Sequence, residues 1–114
     1  MKYCDNKYAL IGTENSNGNT GFIYIDRGCH DYSWSSEPCA YRTPIPNDNV
    51  FDYSLSACKS KRKEVTEIAS NKFSNMKVVM IETAYDFINM TVETKWFEVM
   101  DNDELIELGV MMCE

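Results

Sequence analysis

The sequence contains few of the features that mark membrane, secreted or zinc-binding proteins. None of its apolar runs exceeds four residues, whereas a transmembrane helix needs about 20. Lys2, Asp5 and Lys7 lie near the start with no apolar stretch behind them, so we expect no signal peptide. No two cysteines have the Cys-x-x-Cys spacing of a zinc or redox site, and His30 is the single histidine. We therefore expect no membrane span, no metal and no cofactor.

The five cysteines are odd in number and widely spaced. Without a secretion signal, such cysteines are expected to be free thiols in a reducing compartment, which predicts a cytoplasmic protein. Cys29, His30 and Cys39 would supply three metal ligands at most, so small buried apolar cysteines are the expected alternative. The cysteines are Cys4, Cys29, Cys39, Cys58 and Cys113.

Catalytic and phosphate-binding motifs are also missing. Cys29, His30 and Asp31 are adjacent, but on a strand the His30 side chain points away from both neighbours, so they cannot act together in sequence. Residues 17–21 contain two glycines without the lysine and the following helix of a phosphate-binding loop. No Gly-x-Ser-x-Gly motif occurs. These absences favour a non-enzymatic protein, and a small enzyme of unknown class stays open as an alternative.

Length and composition are those of an ordinary globular protein. The chain has 114 residues, of which 44% are hydrophobic and 25% are charged. A chain of this length buries roughly two-thirds of its unfolded surface, which is enough for one core. The composition therefore predicts one globular domain over residues 1–114 and excludes a disordered chain or a bare coiled coil.

The first part of the chain consists of predicted strands. Residues 7–12 and 22–25 are rich in apolar strand formers, and the Asn- and Gly-rich segment between them predicts a β-hairpin. From residue 30 to 36 the pattern alternates, with Tyr32 and Trp34 on the same face as the histidine, which predicts a further strand. Two prolines at positions 44 and 46 then predict a loop.

A long amphipathic helix is predicted over residues 50–74. Asn49 or Asp48 is the expected N-cap, because its side-chain oxygen can accept a hydrogen bond from a free backbone N–H. Lys61 and Lys63 would lie on the exposed face. Apolar residues at steps of three and four form the stripe that would cover a sheet, namely Phe51, Leu55, Cys58, Val65, Ile68, Ala69 and Phe73.

Two strands are predicted after this helix. Residues 77–83 contain a continuous apolar run, which is typical of a central strand buried on both faces. Residues 84–100 fit both helical and strand spacing, and their alternation, together with many β-branched and aromatic residues, favours a strand.

The end of the chain predicts a short C-terminal helix. Asp101 and Glu104 have the spacing of a capping box, and Gly109 suits a left-handed C-cap. The complete pattern predicts an α+β fold. It consists of an antiparallel sheet of about five to six strands, one long amphipathic helix packed on one sheet face, and the short C-terminal helix.

The net charge of −7 is unevenly distributed. Residues 1–58 carry −3, residues 59–77 carry +4, and residues 78–114 carry −8, with one lysine against nine acidic residues. An acidic protein disfavours direct binding to nucleic acid or to an anionic membrane, and it favours a protein partner with a basic surface. The candidate partner-binding residues are Glu93, Glu98, Asp101, Asp103, Glu104 and Glu107.

Two further surfaces are candidates. One is a basic patch on the predicted helix, formed by Lys59, Lys61, Arg62 and Lys63, which is either a solvated face or a docking patch for an acidic partner. The other is aromatic. Tyr and Trp are favoured at interaction surfaces because rigid rings supply contact area at low entropic cost. This alternative surface contains Tyr32, Trp34 and Tyr41.

The compact, acidic, Asn- and Lys-rich composition resembles that of small accessory proteins of AT-rich phages and mobile elements. This resemblance, together with the missing catalytic motifs, predicts a non-enzymatic acidic binding protein. We expect it to inhibit or modulate a host or partner protein, one that handles nucleic acid being an attractive candidate. The alternative is a protein that binds or sequesters a small nucleotide-like molecule in a pocket at the aromatic surface.

Overall fold

The computed structural model describes residues 2–26, 33–39 and 50–113, which form strands and one helix. The predicted strand residues 30–32 and the prolines at 44 and 46 lie outside this part of the chain. In chain order, the elements are β1 (Lys2–Glu14), β2 (Thr20–Asp26), β3 (Ser33–Pro38), β4 (Phe51–Asp52), α1 (Leu55–Ala69), β5 (Phe73–Asp86), β6 (Thr91–Val99) and β7 (Leu105–Cys113).

All strands join one antiparallel sheet in the order β3-β2-β1-β5-β6-β7, and the two-residue β4 pairs with β1. β1 and β5 are long, and they pair with each other along almost their whole length. α1 packs on one face of this sheet. The described residues therefore form an α+β fold with an antiparallel sheet and one covering helix, as predicted, but the sheet has seven strands rather than five to six because the two-residue β4 and the C-terminal β7 join it.

The predicted β-hairpin is confirmed as β1 and β2. Leu10 pairs with Ile23, and the turn between the strands contains Gly18 at a φ of +73°, a conformation that suits glycine. Gly21 has a second role at the start of β2. A β-carbon there would collide with the Glu37 carbonyl group, so β3 can approach β2 this closely because the side chain is missing.

The helix is shorter than predicted and begins at a different cap. Ser54 is the N-cap, and its hydroxyl accepts a hydrogen bond from the Ala57 backbone N–H at 3.2 Å, so the prediction of Asn49 or Asp48 is wrong. Phe51 and Phe73 belong to β4 and β5, because each pairs with β1 across the sheet. Phe73 extends the stripe because it enters the same helix-side core as α1, whereas Phe51 packs in the layer on the opposite sheet face.

The buried face of α1 also differs from the predicted stripe at two positions. Cys58, Val65 and Ala69 are buried, as predicted, but Ile68 is exposed and Lys61 is buried. The helix turns 100° per residue, so Lys61 lies on the same side as Cys58 and Val65. Its burial is explained by the ion pair described below.

Both faces of the sheet are covered by apolar side chains. On the helix side, Leu10, Val78 and Met80 pack with Cys58 and Val65. The opposite face is a second layer, built around the fully buried Trp96 and closed by the segment that leads into α1. Its members are Ala9, Ile11, Phe22, Val50, Phe51, Val79, Ile81 and Trp96. This confirms the prediction that β5 is a central strand buried on both faces.

Residues 84–86 and 91–99 are extended, which confirms a strand over a helix, but they belong to two strands. β5 continues to Asp86, a turn follows, and β6 begins at Thr91. Asp86 Oδ1 accepts hydrogen bonds from the backbone N–H groups of Ile88 and Asn89 at 3.1 and 3.2 Å, and Met90 has a φ of +53°. The chain reverses here because the Asp86 side chain satisfies these backbone donors.

The short C-terminal helix is not present. Residues 100–104 form a turn in which the Met100 N–H donates to the Glu104 carbonyl at 2.8 Å and Asp103 has a φ of +66°. β7 then pairs antiparallel with β6. Asp101 and Glu104 therefore belong to a β-turn, and Gly109 lies inside a strand next to a bulge. Local capping signals were outweighed by pairing with the apolar edge of β6.

No helix in the described residues has both the length and the apolar character needed to cross a bilayer.

Candidate interaction surfaces

The basic patch of the helix and the acidic turn before β7 meet in the fold. Lys59 forms an ion pair with Asp103, and Arg62 Nη1 lies 3.5 Å from Asp101 Oδ1. Most of these side chains retain considerable exposure, and such pairs typically contribute about 0–1 kcal/mol. In the sequence they are two separate groups of residues, and they were predicted to be two surfaces. The structure joins them, so much of their charge is neutralised within the chain.

Lys61 is a buried structural residue, which corrects its placement in an exposed basic patch. Only 9% of it is exposed, and its Nζ lies 2.7 Å from Asp52 Oδ2 and 3.4 Å from the Val50 carbonyl oxygen. This ion pair connects α1 to β4. Lys63 is exposed, as predicted.

The Cys58 thiol lies in the same buried cluster. Burial raises its pKa to about 12, the charge of Lys61 opposes this rise, and Asp52 adds to it. Such a thiol stays protonated at neutral pH, so it is not a nucleophile there. These buried groups connect α1 to β4, and the Cys58 thiol is not accessible to a substrate.

The six acidic candidates do not form one surface. Glu93 is half-buried on β6, 4.0 Å from Lys95, while Glu98 lies on the opposite sheet face, since the two positions differ in parity. Glu98 and Asp101 border a cleft of about 630 Å³, where Arg62 and Lys77 supply compensating positive charge. This cleft therefore has mixed charge and no net acidic character.

Glu104 and Glu107 are exposed, and no basic side chain of the described residues lies within ion-pair distance of either. They accompany three apolar side chains of the edge strand β7. Leu105 is 45% exposed, Ile106 is 44% exposed and Val110 is 39% exposed. Glu107 on β7 and Glu104 just before it thus place unpaired acidic charge beside exposed apolar area.

Trp34 is the one member of the predicted aromatic surface that the structure describes, since Tyr32 and Tyr41 lie outside those residues. It is half-buried and packs against the helix-side core. It also borders a cleft of about 460 Å³ whose other walls include Glu14, Asn15, Asn71 and Lys72. Trp34 is therefore both a core residue and the apolar wall of a small polar cleft.

A different aromatic cluster lies where β1 begins and β5 ends. The rings of Tyr3 and Tyr85 are 5.9 Å apart, and those of Tyr85 and Phe87 are 6.4 Å apart. The adjoining turn exposes Ile88 and Met90, each to 78%. Sequence reasoning missed this cluster. Its one signal was the alternation of Tyr85 and Phe87, and the contribution of Tyr3 depends on the β1–β5 register, which is a long-range property.

Three cysteines of the described residues form no disulfide. Cys4 is exposed, Cys39 is partly buried and Cys58 is buried, and all three are free thiols. Burial raises the pKa of Cys39. No group of three or more potential metal ligands occurs within the described ranges, and two of the candidate ligands weighed above, Cys29 and His30, lie outside them.

In the part of the chain that the structure describes, the fold is α+β with one helix, and the sheet has an open edge that is apolar and acidic. Comparisons with protein-family models, curated proteins and solved structures found no match to this chain.

Proposed function

We propose that this protein is a non-enzymatic binding protein that inhibits or modulates a protein partner by docking on a basic surface of that partner. The observation that carries the proposal is the combination of exposed, unpaired acidic residues with exposed apolar side chains on β7. Charged groups at such a surface accelerate encounter with an oppositely charged partner, and apolar contacts then retain it.

The intramolecular ion pairs narrow the set of acidic residues that would act in binding. Asp101 and Asp103 are engaged by Arg62 and Lys59. Glu104 and Glu107 have no such partner among the described residues, so their charges are available to a partner protein. The proposal therefore rests on these two glutamates.

The test begins with capture of binding proteins from a cell lysate at low and at high salt, followed by purification of the captured protein. Association rates are then measured at two ionic strengths for the natural chain and for Glu107→Lys. We expect association at low salt to slow by about threefold to tenfold and to become less dependent on salt, because steering acts on encounter.

The matched control is Glu67→Lys on the exposed side of α1, which changes the net charge by the same amount. We expect a smaller effect from this control, since Glu67 lies on α1 rather than on the β7 edge. Equal slowing by both variants would show that only total charge matters, and unchanged association in Glu107→Lys would contradict the proposal.

A second candidate function is the binding of a small molecule in the cleft beside Trp34. Its volume of about 460 Å³ is in the range of small-ligand pockets, and it combines an aromatic wall with amide, carboxylate and ammonium groups. Nucleosides and nucleotides offer ring faces and hydrogen-bonding edges that suit such a lining. The test is quenching of tryptophan fluorescence by added nucleosides, and the quenching should be lost in Trp34→Phe, which retains Trp96.

A further inference from the structure

β7 differs from the other open strand edges in the described part of the sheet. An open edge presents unpaired backbone N–H and C=O groups, and natural proteins protect it with charges, prolines or bulges. β3 contains Glu37 and Pro38, and the outer edge of β1 before its contact with β4 contains Asp5 and Lys7. β7 has nine residues, no proline and one charged side chain, Glu107, and its bulge at Leu108 leaves residues 105–107 regularly paired.

The side chains of β7 fall into two rows. Glu107 pairs with Phe97 and Leu105 pairs with Val99, so both lie on the helix side of the sheet. Ile106 pairs with Glu98 and lies on the opposite side, where Leu108 packs against the second core layer. The register shifts between Trp96 and Phe97, which leaves Leu108 as the extra residue of a bulge.

We propose that the outer edge of β7 is the docking site, and that the partner adds one extended segment to it as a further antiparallel strand. Basic side chains of this segment would lie in the row of Glu107, and apolar side chains would lie in the row of Ile106. This inference rests on the proposed binding of a basic partner, and it adds the site and the mode of binding.

Charge complementarity selects a basic segment over a second copy of this chain. Strand addition obtains affinity from main-chain hydrogen bonds and specificity from alternating side chains. A second copy would bring its own Glu104 and Glu107 to the same edge and would oppose two chains of net charge −7. Like charges on adjacent strands are destabilising, whereas a lysine or arginine across from Glu107 forms a favourable cross-strand pair.

The probe is a fluorescein-labelled peptide of about ten residues, the length of a typical long strand, in which Val and Lys alternate. The comparison peptide alternates Val and Glu. Fluorescence anisotropy measures binding of both peptides to the full chain, and backbone hydrogen exchange followed by NMR locates the site. We expect the Val–Lys peptide to bind at least about tenfold more tightly, and alternate β7 amides to exchange more slowly in the complex.

Two matched pairs of variants test the two rows. Ile106→Lys is compared with Ile88→Lys, which makes the same change at an exposed isoleucine of the β5–β6 turn. Glu107→Gln is compared with Glu67→Gln on α1. We expect Ile106→Lys to weaken peptide binding by at least about tenfold, since an edge lysine blocks strand addition, and Glu107→Gln to weaken it by about threefold. The two controls should stay within about twofold.

Circular dichroism is recorded for each variant, and Glu107→Gln carries the test if Ile106→Lys does not fold. If the peptide protects amides away from β7 and the two isoleucine variants weaken binding equally, the edge site is refuted. The proposed basic partner would then still stand. Equal binding of the two peptides would contradict the basic partner itself. If the β7 amides are protected without peptide and the protein sediments as a dimer, the edge is occupied by a second copy of this chain. This result would overturn the inference.

Discussion

Individual side chains in this protein have roles that their residue types do not reveal. Lys61 belongs by sequence to a run of basic residues, yet it is buried and paired with Asp52, while its neighbour Lys63 is exposed. The long lysine side chain allows this arrangement, because its methylene groups pack against apolar atoms while the ammonium group reaches the carboxylate. The contrast between these two lysines makes a stability test possible.

Replacing Lys61 by alanine should destabilise the protein by roughly 3 kcal/mol, because the Asp52 carboxylate is then left partly buried without its cation. Chemical denaturation measures the effect. Lys63→Ala is the control and should stay within about half a kcal/mol. The double variant Asp52→Asn/Lys61→Met should recover much of the loss, since no unpaired charge remains. If Lys61→Ala lowers the free energy of unfolding no more than Lys63→Ala does, the ion pair does not contribute to stability.

The Cys58 thiol should resist alkylation in the folded protein. With a pKa of about 12 in place of the ordinary 9.0, its thiolate fraction near pH 8 is about a thousandfold lower, and the thiol is also buried. Treatment with iodoacetamide followed by peptide mass mapping should show modification of the exposed Cys4 long before that of Cys58. Comparable rates at the two cysteines would contradict the burial of Cys58.

The same raised pKa has a consequence for stability. A thiol whose folded pKa lies above its unfolded pKa contributes stability below about pH 9, and this contribution is lost as pH rises from about 9 to 12. The free energy of unfolding should therefore fall more steeply in this range for the natural chain than for Cys58→Val. Denaturation curves recorded across the range compare the two.

At the scale of elements, turns and caps were decided by single polar side chains. α1 begins at Leu55, later than the apolar pattern from residue 50 suggested, because the Ser54 hydroxyl caps it. Asp86 divides a continuous strand-like segment into β5 and β6 by accepting hydrogen bonds in the turn. Helical spacing at 101–109 did not form a helix, since β6 offered an apolar edge to pair with. The sequence predicted that most elements exist, but it did not predict their ends, and it predicted a helix where β7 lies.

The β5–β6 turn should weaken at low pH. Hydrogen bonds from the Asn89 side chain and from the backbone N–H groups of Asn89 and Ile88 lower the pKa of Asp86 below its ordinary 3.8. Its contribution to stability is therefore present above about pH 4 and is lost as pH falls through the lowered pKa. NMR titration of the Asp86 carboxyl group measures this pKa. It should rise toward 3.8 in Asn89→Ala, and an unchanged value in that variant would contradict the role of Asn89.

At the scale of the whole molecule, one sheet joins two apolar layers. The helix-side layer and the Trp96 layer share the central strands β1 and β5, whose alternate residues enter each layer. If the packing of one layer is lost, β1 and β5 become exposed, and the other layer is packed on the same two strands. Stability should therefore be a property of the complete sheet rather than of either layer alone.

Unfolding should consequently be cooperative across both layers. In the variant Trp34→Phe, Trp96 is the remaining tryptophan and reports on the layer opposite the helix, while circular dichroism at about 222 nm reports on α1. Thermal or chemical denaturation followed by both signals should give the same midpoint within error. Separate midpoints would show that the two layers unfold independently.

The sequence by itself determined the α+β class, the first hairpin, the presence of one amphipathic helix and the doubly buried strand β5. These features follow from local periodicity and turn chemistry, which neighbouring residues encode. Only the tertiary structure decided the partners of charged and aromatic residues, including Lys59 with Asp103, Lys61 with Asp52 and Tyr3 with Tyr85. Two of these pairs join residues more than 40 positions apart, and all three depend on how the strands and the helix are arranged in the fold. The open edge of β7 is of the same kind, because a strand is at an edge only in relation to all the others.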